Sequence, residues 1–144
     1  MTDCKSNILQ RGHVYFWKFK TDGWMGSEWH FSTDRVGRVF MLELMDRLGR
    51  ETRIRSCRLE ISPVPRHVAR RPGLDLPTED RRHLKLNYDP ADASYDAWSV
   101  RDNEQTVDVQ FGRTILAMWR GAMTGLPDDD RSVGIGEDHT LFVW

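Results

Sequence analysis

HVYFWKFKTDGWMGSEWHFST, residues 13–33, decides the fold class. Most of its first eight residues are β-branched or aromatic, with Tyr15, Trp17 and Phe19 on one side and Val14 and Phe16 on the other. That is the pattern of a strand with both faces in use. Thr21-Asp22-Gly23 supplies turn chemistry, because Gly23 accepts a positive φ without a Cβ clash. A second strand over about 27–32 puts Trp29 and Phe31 on one face. The segment is therefore a hairpin. Trp24 and Met25 stand at its tip, where large apolar side chains point to a partner or a covering contact.

Moving outward, Ser32 or Thr33 can cap a helix, and Asp34 suits its positive first turn. Val36, Phe40, Met41, Leu44, Met45 and Leu48 recur at three- and four-residue spacings, and Gly49 is a stop signal. Residues 53–61 then set Arg55, Cys57, Leu59 and Ile61 against Ile54, Ser56, Arg58 and Glu60, a half-buried strand with a polar outer side.

The second half repeats these signals. Leu84, Leu86 and Tyr88 alternate, residues 96–101 carry Trp98 and Val100, and Val107, Val109 and Phe111 oppose Asp108 and Gln110. A helix over about 113–125 buries Ile115, Met118, Trp119, Ala122 and Leu126, and a terminal hairpin closes the chain. Trp17 and Phe31 echo Trp98 and Phe111, with an apolar helix after each phenylalanine. The expected fold is α+β: a mostly antiparallel sheet of about seven strands with two amphipathic helices on one face, in the pattern of a duplicated ββαβ unit. One domain spans 1–144, a size that needs no staples. Its halves, about 13–61 and 83–144, are joined by a Pro/Arg-rich loop at 62–82, and residues 1–10 read as a mobile tail.

The loop combines Pro63, Pro65, Pro72 and Pro77 with Arg66, Arg70, Arg71, Arg81 and Arg82, and Arg58 lies near it. Arginine forks bind phosphate bidentately and a flexible basic loop can wrap a polyanion, so these arginines join Trp24 and Met25 as candidate binding residues. Charge is divided unevenly. Residues 1–86 hold 17 Lys+Arg against 11 Asp+Glu, and residues 87–144 hold 4 against 11, so a basic half adjoins an acidic one.

Signatures of catalysis are missing. The five histidines include no i, i+4 or HxH pair, and Asp128-Asp129-Asp130 lacks the interleaved ligands of a calcium loop. Gly134-Ile135-Gly136 lacks the third glycine and following helix of a dinucleotide site, and no GK[ST] or GxSxG occurs. Cys57 reads as a buried, inert thiol, and two cysteines are too few for an extracellular framework. The N-terminus has no signal-type apolar core, and no stretch approaches the roughly 18–20 apolar residues of a membrane span. A cytoplasmic location is therefore expected.

The sequence fits a non-catalytic protein-binding or interaction module best, with no cofactor, no metal and no membrane. Its expected partner is another protein or a second copy of the chain. Nucleic-acid binding through the arginine loop ranks second, since RNA recognition also asks for exposed aromatics and the loop has none. An enzyme with a site assembled from distant residues ranks third.

Overall fold

The computed structural model describes residues 2–3, 9–19, 29–69, 78–92, 98–125, 133–135 and 141–144. In chain order the elements are β1 (Thr2–Asp3), β2 (Val14–Phe19), β3 (Trp29–Thr33), α1 (Arg35–Gly49), β4 (Arg55–Glu60), α2 (Arg66–Ala69), β5 (Thr78–Asp80), β6 (His83–Tyr88), β7 (Trp98–Asp102), β8 (Thr106–Phe111), α3 (Arg113–Gly125), β9 (Val133–Ile135) and β10 (Leu141–Val143). The chain is α+β, and its described residues form three helices and two mixed sheets of five strands each. Sheet I has the order β1-β4-β6-β8-β7, and sheet II the order β5-β2-β3-β10-β9.

The single sheet of about seven strands is thus replaced by two. The reason lies in the crossovers. Helix α1 carries the chain from β3 in sheet II to β4 in sheet I, and α3 carries it back from β8 to β9. Hairpins pair antiparallel, but β1 with β4, β6 with β8 and β3 with β10 are parallel. Parallel neighbours need long connections, which local pattern does not reveal.

The same order of pairings occurs twice. The hairpins β2–β3 and β7–β8 are antiparallel. Their inner strands pair in parallel with β10 and β6 respectively. Those in turn pair antiparallel with β9 and β4. Apart from α2 and β5, which lie between β4 and β6, the described elements of each half run β-β-α-β-β, and each half lends its second antiparallel pair to the other half's sheet. Phe31 lies opposite Phe16, and Phe111 lies opposite Trp98, so Phe16 and not Trp17 holds the place of Trp98. Trp17 is one residue along and faces the other side of its strand.

One core takes the inner faces of both sheets and one stripe of each long helix. Phe40, Met41, Leu44, Met45 and Leu48 of α1 meet Ile115, Leu116, Trp119, Ala122 and Met123 of α3 in the same cluster. Trp119 joins the sheets, with ring centroids 5.1 Å from Phe31 and 5.9 Å from Phe111. Arg120 Nε donates to Asp46 Oδ1 at 2.6 Å, tying the two helices. Val36, read as part of the buried stripe, is 55% exposed in the first turn of α1, and Met118 is half-buried. Leu126 lies outside the described residues.

Asp34 caps α1, although the hydroxyls of Ser32 and Thr33 were the expected caps. Its Oδ1 accepts from Gly37 N at 2.7 Å and from His13 N at 3.0 Å, pinning the start of β2 to the helix. Burial opposes the charge, but these two N–H groups outweigh it and hold the carboxyl below its usual range. The approach is so close that a Cβ on Gly37 would collide with the His13 carbonyl.

Residues 1–10, read as a mobile tail, are held at two described points. Thr2–Asp3 pairs with β4, and the Gln10 amide bonds Glu60 N at 2.9 Å and Glu60 O at 2.8 Å, as a neighbouring strand would. Cys57 is buried as expected but is disulfide-bonded, not a free thiol, so the cysteine argument for a reducing compartment falls away. No described helix is long and apolar enough to cross a membrane.

Candidate binding face

The two sheets treat their outer faces differently. On sheet II the outward residues Tyr15, Trp17, His30 and Ser32 are themselves buried. Val64, Val68 and Ala69 pack against Tyr15 and Trp17, together with Trp144. The first part of the Pro/Arg-rich segment is therefore a cover: Val68 N and Ala69 N bond Pro65 O at 2.9 and 3.0 Å, forming the single turn α2. An aromatic outer face is costly to leave in water, and these residues close it.

Sheet I has no such cover among the described residues. Its outward residues lie in lateral rows set by the register of four strands. Arg58, Lys85, Asp108 and Arg101 form one row across β4, β6, β8 and β7. Ser56, Asn87, Gln110 and Ser99 form the next. Beyond the charged row lies Glu60 beside His83, with Thr106 next to it. Adjacent strands are about 4.8 Å apart, so the charged row spans about 14 Å. Arg58, Arg101, Ser99 and Gln110 are exposed, and Lys85, Asn87 and Asp108 are half-buried.

Local bonds hold the rows in place. Arg58 Nη2 donates to His83 Nδ1 at 3.1 Å. Ser56 Oγ donates to Asn87 Oδ1 at 2.5 Å, and Asn87 Nδ2 reaches Val109 O at 3.4 Å. Asn103 Nδ2 donates to Asp108 Oδ2 at 3.2 Å.

Two cavities border this face. One of about 650 Å³ lies along the β4 edge, with Arg58, Glu60 and His83 at its rim and Phe40, Leu44 and Leu59 within. In it His13 Nδ1 and Ser62 Oγ are 2.8 Å apart. The other, about 400 Å³, is lined by Asn87, Ser99 and Gln110 together with Trp98 and Tyr88. Tyr88 is fully buried, its hydroxyl makes no hydrogen bond to the described protein, and burial raises its pKa. No group of three or more His, Cys, Asp or Glu among the described residues is placed to hold a metal ion.

The candidate residues from the sequence are dispersed. Arg58 lies on the open face, whereas the exposed Arg66 lies on the helix that covers sheet II. Arg81 is committed within the chain, its Nε and Nη2 donating to Asp102 Oδ1 and Oδ2 at 2.8 and 2.7 Å, with its guanidinium 5.8 Å from the Trp29 ring centre. Arg82 is exposed, and its carbonyl accepts from Ile61 N at 2.8 Å. Trp24, Met25, Arg70 and Arg71 lie outside the described residues. Sequence reasoning passed over Lys85, Asn87, Ser99 and Arg101. Each occupies the polar phase of an alternating strand, but only the register places them in rows.

Compared with protein-family models, with curated proteins and with solved structures, the chain matches none.

Proposed function

We propose that this chain is a non-catalytic protein-binding module and that the outer face of sheet I is its contact surface. The observation that carries the reading is the contrast between the two outer faces. The aromatic one is sealed by the chain itself, while the ordered polar one has no cover among the described residues and a cavity at each end. A flat surface with charged and amide rows suits a protein partner, which can match both charge and hydrogen bonds.

The test is affinity capture with three baits: the native chain, the double variant Asn87→Arg/Gln110→Arg, and a control altered at the exposed Val39 of α1. Proteins retained by the native chain and the control but lost by the double variant support the reading. A bound set that ignores the double variant sinks it, provided circular dichroism shows that variant folded.

Among the described residues, the His13–Ser62 contact favours an enzyme, as a hydroxyl and a base at hydrogen-bond distance in a cavity. Labelling of Ser62 by a fluorophosphonate probe would support that reading, and inertness would remove it.

We also infer that the two halves descend from a single β-β-α-β-β unit, on the strength of their matching pairings. A chain of residues 14–88 alone is then expected to form a dimer that exchanges its second hairpin. An unfolded monomer by light scattering and circular dichroism counts against this.

A further inference from the structure

We propose that the partner of the open face is an acidic protein surface. The inference rests on the binding-face reading above and adds the chemistry of what that face takes. Among the described residues, Arg58, Lys85 and Arg101 take part in no ion pair, although they share one row. Cations elsewhere in the chain do find carboxylates. Arg55 has Glu51, Arg81 and Lys18 share Asp102, and Arg120 has Asp46. Among the described residues the chain thus places its ion pairs away from this row and leaves three cations on three strands, with Asp108 the row's single anion.

That arrangement separates two classes of polyanion. Asp108 sits between Lys85 and Arg101, where it repels a phosphate backbone of uniform charge but accepts a lysine or arginine from a mixed surface. Single-stranded nucleic acid also binds through aromatic platforms. The outward positions of β4, β6 and β8, from Ser56 and Arg58 to Asp108 and Gln110, carry no Phe, Tyr or Trp, and the one ring there, the His83 imidazole, is bonded by Arg58. The neighbouring amides of Asn87 and Gln110 add donors and acceptors suited to a polypeptide. Carboxylates opposite Arg58, Lys85 and Arg101, with one cation opposite Asp108, complete the match.

The experiment titrates the full-length ¹⁵N-labelled chain with poly-L-glutamate at low salt and follows the backbone amide shifts. The expected result is saturable movement at Lys85, Asn87, Arg101 and Asp108, abolished at high salt. Lys85→Glu should weaken binding on the order of tenfold at low ionic strength. Asp108→Asn should tighten it several-fold. If Lys85→Glu fails to fold, the exposed edge-strand variant Arg101→Glu gives the same reading. Poly-L-lysine that shifts these amides where poly-L-glutamate does not overturns the acidic partner and leaves the binding face standing. If neither polypeptide moves them, both proposals fail. Tighter binding of a thymidine oligonucleotide than of poly-L-glutamate overturns the inference in favour of nucleic acid.

Discussion

Trp144 donates its indole N–H to His30 Nδ1 at 2.9 Å, across nearly the whole chain. His30 is fully buried and lies in a stack of near-parallel rings, 5.4 Å from Trp17 and 5.2 Å from Phe142. The backbone joins in, with Trp144 N donating to Phe31 O at 2.9 Å and Ser32 Oγ donating to Trp144 O at 3.1 Å. Trp144 is thus a structural lock on sheet II. Trp144→Phe keeps much of the stacking but removes the donor, and should cost about 1–2 kcal/mol. Urea denaturation of the two proteins measures the difference, and an unchanged midpoint would show the lock to be idle.

Val68 marks the seal over sheet II. Val68→Asp sets a charge against Tyr15 and Trp17 and should destabilise by roughly 2 kcal/mol or more. The variant should also bind a hydrophobic dye that the native protein ignores. Equal dye fluorescence in the two would mean that this segment covers nothing of consequence.

The Arg81–Asp102 pair predicts a pH response. The Arg81 hydrogen bonds hold the Asp102 carboxyl below its usual range, and Lys18 adds to the effect while burial opposes it. A carboxyl depressed in the folded state contributes stability that is complete above its unfolded pKa of about 4 and is lost as pH falls through the folded value. Asp102→Asn should therefore lower stability by about 1 kcal/mol at neutral pH and converge with the native protein in strong acid. Parallel stability curves across that range would refute the assignment.

Tyr88 carries a buried hydroxyl with no hydrogen-bond partner among the described residues, packed 5.6 Å from Phe111 between ring centres. Deleting an unsatisfied buried group is neutral or favourable. Tyr88→Phe should leave thermal stability unchanged or raise it by about 1 kcal/mol. A clear loss would reveal a partner for that oxygen.

How far the sequence reaches is visible in individual elements. Period-two alternation located β2, β4, β6 and β8, and helical spacing picked out Phe40, Leu44, Leu48 and Trp119 as core. These signals are local, so they survive without knowledge of neighbours. The division into two sheets did not, because it depends on where a strand goes after its helix. The open face was half legible. Arg58 could be picked by charge, but Lys85 and Arg101 gain meaning only when the parallel pairing of β6 with β8 brings distant residues side by side. The sealing role of Val64 and Val68 was hidden behind prolines and arginines that look like a free loop.

The place of β10 between β3 and β9 has a consequence in time. As the chain leaves the ribosome, β2 and β3 emerge well before β10, and the inner edge of β3 has no partner until residues 141–143 follow. The β2–β3 hairpin must wait for β10. Loss of β10 should therefore act as a failure of the whole, with the aromatic β2–β3 segment left exposed to chaperones and proteases.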